Sequence, residues 1–433
     1  MTDTPAIPEV YQSDYLFLLV GKNPLPDYVA ATLLLNPGGQ LYLVHSTATK
    51  PAAERLARHL TDQEKDQIPK YVPVGEADST DIRSKIDSEL SSLGHGQIGL
   101  NYTGGTKLMS VYACRTLLDY RDRAAKQRSV TLSYLDARTD CMYIEHNDDP
   151  LFVSESLLHV MDPSPNMHDP PSMLKTVVEL HTNGLVSKIE RTPQLPDLAR
   201  LLAQEHQKPE VAKAWRSWCN EVLRQSTRKS DRWDRENVLC KVHLDLPSDR
   251  NLERIVGGMR TALRLEQQTT TISLARVAKD AGFKKAKHFC EWLDGKWLEY
   301  HVLDILQTLA KDRLHGKIHD PGMGVKPANE SEGSEYEVDI GVMQGYRLYA
   351  ISCTTGDDKS LYKLKLFEAY ERARNMGGDE ARVGLICLNH DPRALERQVS
   401  RSWDAEGKVR VFGRSDIANL TDPLADWFIS ADS

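Results

Sequence analysis

The stretch from Asn101 to Met109, which reads Asn-Tyr-Thr-Gly-Gly-Thr-Lys-Leu-Met, constrains the fold of this chain more than any other. A short apolar run, Gln97-Ile98-Gly99-Leu100, leads into it. A helical pattern follows, with Leu108, Val111, Tyr112 and Leu118 near one face. The expected order is strand, tight glycine turn, helix. Such a turn leaves backbone N–H groups unpaired at a helix N-terminus, where the partial positive charge favours an anion. Gly104 and Gly105 carry no Cβ, so a ligand can approach the backbone closely. Thr103 and Thr106 add hydroxyls and Lys107 adds a cation. Together these are parts for holding phosphate. The order of a Walker loop is absent, and so is a Gly-x-Gly-x-x-Gly fingerprint. On chemistry alone, a bare turn explains the residues as well.

With 433 residues, the chain has length for two or three domains. Its formal net charge of −7 excludes a global basic field, so any nucleic-acid partner must meet a local basic groove. No apolar run approaches the roughly 20 residues of a membrane span. Met1 to Val10 is polar and unlike a signal peptide. Seven scattered cysteines, with no Cys-x-x-Cys pair, point to a reducing cytoplasm and away from structural zinc or disulfides.

Strands are expected at Tyr15 to Val20, Leu41 to Val44 and Tyr71 to Val74. The run before the glycine turn is a fourth, and Thr131 to Leu135 with Met142 to Glu145 form a closing hairpin. Helices alternate with them, at Tyr28 to Leu33, Pro51 to Leu60 and Asp81 to Leu93. That alternation implies a mostly parallel, doubly wound sheet, with ligands at the carboxyl ends of the strands. Gly21, Lys22, Asn23, Ser46 and Thr47 then join the glycine loop on one rim.

The segment Met161 to Pro171 is rich in Pro, Asp, Asn and His and reads as a linker. Helices follow at Met173 to Leu180, Asp197 to Ala203, Ala212 to Leu223, Leu252 to Leu263 and Ile272 to Ala281. They form a small helical or winged-helix module, read here as a spacer. In the last region Trp297, Leu298, Val302, Ile305, Leu306 and Leu309 form an apolar helix face. Glu299 lies beside that face, where a carboxylate needs a partner or a metal. His319 to Ser334 reads as a loop. A hairpin follows, Tyr336 to Val342 and Tyr346 to Cys353, turning at Gln344-Gly345. Glu337 and Asp339 share one face of its first strand, and Ser352 and Thr354 share one face of its second. A helix at Leu361 to Arg374 and a buried strand at Val383 to Leu388 complete the region.

The Asn-x-Thr-Gly-Gly-Thr-Lys-x-Met string resembles the ligand loop of CARF domains, the Rossmann-like sensors of type III CRISPR systems. The opening Leu-x-Val-Gly-Lys-Asn-Pro-Leu-Pro is similar to the first strand and loop of one CARF subgroup. Five later stretches resemble CARF-fused members of the PD-(D/E)xK nuclease superfamily: Gly-x-Trp-Leu-Glu, the Glu-x-Asp strand, the Ile-Ser-Cys strand, Leu-Tyr-Lys-Leu, and the Gly-Gly at 377–378. The resemblance implies an α/β chain of three parts. These are a CARF domain at 1–160, a helical or winged-helix module at 161–290, and a restriction-endonuclease-like domain at 291–433.

It also implies a function. A cyclic oligoadenylate, the tetra-adenylate foremost, binds at Gly21, Lys22, Asn23, Ser46, Thr47, Asn101, Thr103, Gly104, Gly105, Thr106 and Lys107, across a homodimer. The ring then allosterically activates a metal-dependent endonuclease cutting DNA, RNA or both. Mg²⁺ or Mn²⁺ would be held by Glu299, Asp339 and Glu337. One departure stands out, because Thr354 occupies the position of the family's lysine. A lysine reaching in from the next segment could replace it: Lys359, Lys363 or Lys365, with Lys363 preferred because it lies in the Leu-Tyr-Lys-Leu match. The alternative is a sensor whose nuclease-like domain binds nucleic acid or a partner without cutting. A HEPN-type ribonuclease, through Arg313 and His319, is a third reading.

Overall fold

The computed structural model describes residues 9–61, 68–123, 128–136, 141–147, 149–153, 172–182, 184–186, 188–314, 317–327, 337–403 and 405–430. The 161–171 linker and the 137–140 turn lie outside them.

The first sheet has seven strands: β1 (Ser13–Leu19), β2 (Leu35–His45), β3 (Lys70–Pro73), β4 (Ile98–Asn101), β5 (Val130–Asp136), β6 (Cys141–His146) and β7 (Asp149–Val153). Their order is β3-β2-β1-β4-β5-β6-β7. The first five in that order run parallel, and β6 and β7 close the edge as an antiparallel pair. Side chains alternate along β1. Leu16 and Leu18 pack against helices α1 (Leu25–Leu34) and α2 (Lys50–Thr61). Phe17 and Leu19 face α3 (Ser79–Ser91) and α4 (Lys107–Arg123). Phe17 stacks on Tyr42 of the neighbouring strand at 4.4 Å.

In α4 the buried stripe is Met109, Ala113, Thr116 and Leu117, about one position round from the face expected in the sequence. Val111 is 60% exposed, while Leu108, Tyr112 and Leu118 are only half-buried. A Tyr/Leu-rich helix offers two competing faces, and the small residues Ala113 and Thr116 allow the closer approach.

Helix α5 (Met173–His181) joins the two ends of the chain. Its Leu174, Val177, Val178 and Leu180 are fully buried in one core with β1, β2 and the last sheet. Each such side chain contributes about 1.5–3 kcal/mol. Toward the first sheet, Arg55 Nε donates to Leu180 O at 2.7 Å. Toward the last, Leu174 N donates to Asp320 Oδ2 at 2.7 Å.

The middle helices, Pro196–Glu205, Pro209–Trp218, Glu253–Ala262, Leu274–Asp280 and Ala286–Glu291, surround a two-stranded pair, His243–Asp245 with Thr271–Ser273. Their side chains share a continuous core with the Trp297–Lys311 helix and with Ile340, Tyr349 and Phe412 of the last sheet.

The last sheet is ordered His319–Val325, Val338–Gln344, Arg347–Thr354, Arg382–Cys387, Val409–Phe412. The first three strands are antiparallel and the last three parallel. His319–Val325 forms a strand where the sequence predicts a loop. It is an edge strand, bulged between His319 and Gly322, and only an edge tolerates Pro321 and the left-handed Gly324. Among the described residues no helix is long and apolar enough to cross a membrane.

Candidate functional site

Two sites lie at the carboxyl edges of the two sheets. In the first, β1 separates β2 from β4, and the crossovers change direction between β1 and β4. This is the topological switch point where open α/β sheets take ligands. The loops after β1, β2 and β4 stand side by side there.

The glycines are packed on one another. A Cβ on Gly21 would sit 3.3 Å from Gly104 Cα and 3.3 Å from the Gly105 amide. A Cβ on Gly104 would strike Leu19 O and come within 2.7 Å of the Gly21 amide. Gly105 has φ +73, the left-handed turn a glycine makes without strain.

Several hydroxyls and amides expected to face a ligand are instead engaged in building the loop. Asn101 is fully buried and donates to Ser133 Oγ at 3.1 Å, while its Oδ1 accepts from Thr103 N at 3.2 Å. Thr103 Oγ1 accepts from Leu135 N at 2.7 Å. Thr106 Oγ1 accepts from Met109 N at 3.2 Å as an N-cap and donates to Glu76 O at 3.2 Å. Ser46 is buried in a turn with Thr49. Asn23 Oδ1 accepts from Leu25 N at 3.0 Å and lies 2.9 Å from His181 Nε2. What remains exposed on the rim is Lys22, Thr47, Gly105 and Lys107. Neither lysine has an ion pair among the described residues.

Beneath this loop Asp27 is fully buried, and among the described residues neither carboxylate oxygen has a hydrogen bond of good geometry. Burial holds its carboxyl well above the usual range, and the nearby Gly21 amide offsets this only in part. A raised carboxyl contributes stability below its unfolded pKa and loses it as pH rises through the folded value. Asp27→Asn is therefore expected to stabilise the chain at neutral pH by about 1 kcal/mol or more. That gain should vanish toward pH 4. Thermal melts of both proteins across that range check the sign.

In the second site, the Trp297–Lys311 helix presents Glu299 toward the start of Val338–Gln344, where Asp339 sits. Asp339 Oδ2 accepts from Ser352 Oγ at 2.8 Å and from Cys353 N at 2.9 Å. Burial, then Asp339, pushes the Glu299 carboxyl well above its ordinary range, with Glu337 adding to the push; Lys296 and Lys365 oppose it. Burial pulls the Lys296 ammonium down, but Glu299, Glu291, Glu337 and Asp339 outweigh it and hold it raised. Burial and the same two carboxylates, Asp339 before Glu299, push the Cys353 thiol far up.

Lys363 does not join this group. It is exposed and lines a groove with Asn389 and Gln398. On a helix, positions 363 and 365 point about 200° apart, so only one can face the carboxylates. Lys365 is half-buried, opposes the push on the Glu299 carboxyl, and lies 3.9 Å from Glu368 Oε2. Lys296 carried no signal in the sequence pattern beyond its place three residues before Glu299. Arg313 and His319 do not converge either. Arg313 pairs with Asp422 and Asp426, and His319 Nε2 lies 2.9 Å from Gly345 O.

Among the described residues no three His, Cys, Asp or Glu side chains converge as a ready metal cage. Glu299 and Asp339, close enough for Asp339 to add to the push on the Glu299 carboxyl, nevertheless fit a hard cation that takes its other ligands from water and phosphate, as Mg²⁺ does.

No family model and no curated protein matches the chain. Solved structures do. Protein VC1899 from Vibrio cholerae is 15% identical, with a TM-score of 0.68, over 96% of this chain and 99% of that one. Can2 from Sulfobacillus thermosulfidooxidans, solved in complex with cyclic tetra-adenylate, is 13% identical, with a TM-score of 0.64, over 96% and 99%. The chain thus shares the fold of these two proteins along nearly its whole length, with a Rossmann-like sheet first and a mixed α/β sheet last.

Proposed function

We propose that this chain is a cyclic-oligoadenylate sensor and effector of type III CRISPR antiviral defence. Cyclic tetra-adenylate is its leading ligand, and nucleic-acid cleavage dependent on Mg²⁺ or Mn²⁺ is its output. The observation that carries the sensor half is the glycine crest. Gly21, Gly104 and Gly105 touch backbone to backbone at the switch point, with Lys22 and Lys107 on the rim and without an ion pair among the described residues. That crest offers amides and cations to ring phosphates. A neighbour of the same fold was solved with cyclic tetra-adenylate bound. A symmetric ring suits a two-fold homodimer, each protomer giving one loop.

A physical link runs from crest to effector. Asn23 of the β1 loop meets His181 at the end of α5. A Cβ on Gly378 would lie 2.9 Å from both Asn23 Nδ2 and His181 Nε2. Gly378 ends the Lys359–Gly377 helix, which carries Lys365. A ligand that moves the β1 loop can therefore bias that helix, provided it binds one arrangement better.

In the effector, Glu299 and Asp339 would hold the cation, with Glu337 at the entrance. A bound cation supplies charge neutralisation at the scissile phosphate and lowers the pKa of water. Asp339 is oriented for this by Ser352 Oγ and Cys353 N. Lys365 and Lys296 supply the positive charge that Thr354 lacks. The test is plasmid nicking with Mn²⁺ and cyclic tetra-adenylate. Lys365→Ala is expected to lower the rate by about 10²-fold or more, while Lys363→Ala leaves the chemical step unchanged. Equal loss in both variants contradicts the assignment.

The second reading, a sensor whose last domain does not cut, is favoured by one observation: a neutral threonine stands where the family's lysine would be. Absence of cutting in every metal and ring, with ring binding intact, selects it.

A further inference from the structure

A basic turn joins the Leu274–Asp280 and Ala286–Glu291 helices of the middle module. From Gly282 to His288 the chain reads Gly-Phe-Lys-Lys-Ala-Lys-His, with no acidic residue. Lys284, Lys285, Lys287 and His288 are all exposed. The turn is fixed by its own backbone. Gly282 N donates to Lys279 O at 3.0 Å and Phe283 N to Ala278 O at 2.8 Å, while Gly282 adopts φ +81. This pair of bonds is the usual glycine stop of a helix. Phe283 is then tucked inward, with its ring 5.4 Å from that of Phe289. Because Phe283, Ala286 and Phe289 are buried, the lysines between them face solvent.

These cations are short of counter-charge. Among the described residues only Lys287 of the three lysines has an ion pair, with Glu291 at 3.6 Å. Glu190 feels Lys284 but is paired with Lys188 at 2.8 Å, and Asp280 is paired with Arg276 at 3.6 Å. The amides that open the second helix are occupied, since Glu236 accepts from Ala286 N at 2.6 Å and from Lys287 N at 3.3 Å. An anion held here is therefore held by side chains.

The basic turn leads to the carboxylates. Its second helix passes through Trp292–Lys296 straight into the Trp297–Lys311 helix, which presents Glu299. Trp292, Leu293, Trp297 and Leu298 are buried, and Glu291, Lys296 and Glu299 remain half-buried along the outer side. Burial lowers the proton affinity of His288; Glu291 works against this, and Lys285, Lys287 and Lys296 add to it. Three cations thus crowd one imidazole. Lys296 in turn stands among Glu299, Glu291, Glu337 and Asp339. One band of positive charge runs from the turn to the edge of the carboxylate site. The rings of the turn, Phe283 and Phe289, are buried, so it offers bases nothing to stack on. What it can hold is a run of phosphates, whatever the sequence.

We propose that the 282–288 turn is a docking ledge for the phosphate backbone of nucleic acid, placed so that a strand leaving it reaches the Glu299–Asp339 edge. The middle module then handles substrate, beyond the spacer role expected from the sequence. The ledge rests on the proposed nuclease reading for its purpose but not for its binding.

The test is fluorescence polarisation of labelled oligo-dT, oligo-U and a DNA duplex with the full chain, in EDTA, with and without cyclic tetra-adenylate, across a salt series. Wild type should bind at least one of the three. Lys284→Gln/Lys285→Gln should bind it about tenfold or more weakly at about 0.1 M salt, with a log–log salt slope shallower by about 1.4–1.8. Arg397→Gln/Arg401→Gln removes the same charge from exposed positions of the Pro392–Trp403 helix and should stay within about twofold of wild type. All four side chains are exposed, so melting temperatures should hold. Unchanged affinity and slope in the lysine variant overturn the ledge. So does equal loss in both variants, which is an effect of net charge alone, and so does wild type that binds none of the three or binds polyglutamate as well. Metal-dependent cutting is scored separately. Cutting by wild type, with unchanged strand affinity in the lysine variant, sinks the ledge and leaves the nuclease reading standing. Lost affinity in the lysine variant, with no cutting by wild type, does the reverse.

Discussion

Asp339→Asn should abolish nucleic-acid cleavage, lowering it by at least about a hundredfold, while ring binding and the melting temperature stay near wild type. The size follows from position. Losing even the outer partner of a metal ligand costs about 10–100-fold, and Asp339 is proposed as a ligand itself. The choice of asparagine follows from the hydrogen bonds. Asp339 Oδ2 accepts from both Ser352 Oγ and Cys353 N. Alanine would leave two donors without an acceptor, at about 1–3 kcal/mol for a buried group, and would confound folding with chemistry. Asparagine keeps an acceptor oxygen and removes only the charge. The same change removes the neighbour that, after burial, most raises the Glu299 carboxyl. Glu299 should therefore titrate lower in the variant. Cleavage and melts measured side by side check the first point, and carboxyl NMR checks the second. Cleavage that persists in Asp339→Asn would place the cutting groups elsewhere.

Gly104→Ala should cost both stability and ring binding. Its new methyl would meet Leu19 O and approach the Gly21 amide to 2.7 Å, and both are backbone atoms that no rotamer change can move. Overpacking of this kind costs about 1–3 kcal/mol. Relief requires the β1 and β4 loops to separate, and that opens the crest on which the amides converge. Gly38→Ala is the control. Gly38 has φ +81 but nothing within 4 Å of its would-be Cβ, and it lies in β2 away from the crest. It should lose stability through backbone strain and keep its affinity for the ring. Thermal melts together with cyclic tetra-adenylate titrations separate the two. Equal ring affinity in Gly104→Ala and wild type would show that the crest is not where the ring sits.

The sheet strands were legible in the sequence because buried parallel strands are unbroken apolar runs, such as Tyr15 to Val20 and Val383 to Leu388. The His319–Val325 strand was hidden by Pro321, Gly322 and Gly324, residues that mark a loop unless an edge position makes them harmless. Strand β7 begins Asp149-Pro150, which also reads as a turn. In the crest, the motif was visible but its division of labour was not. Asn101, Thr103, Thr106 and Ser46 have the chemistry of ligand-binding side chains, and the same chemistry lets them cap and brace the loop. Only burial distinguishes these uses. The lysine question was of the same kind. Resemblance points to Lys363, which stands exposed at the groove, whereas Lys365 is half-buried beside Glu368 and is the one of the two that acts on the Glu299 carboxyl. Lys296 could not be found by any strand or helix period, because it sits where the chain passes from Gly295 into the Trp297–Lys311 helix.

The most direct test of the account is a calorimetric titration of cyclic tetra-adenylate into the wild-type chain and into Lys107→Ala. The account predicts saturable binding by wild type, near one ring per two chains. It also predicts affinity weaker by about tenfold or more in the variant, the worth of one charged hydrogen bond. No binding by wild type, or equal affinity in both proteins, would contradict it.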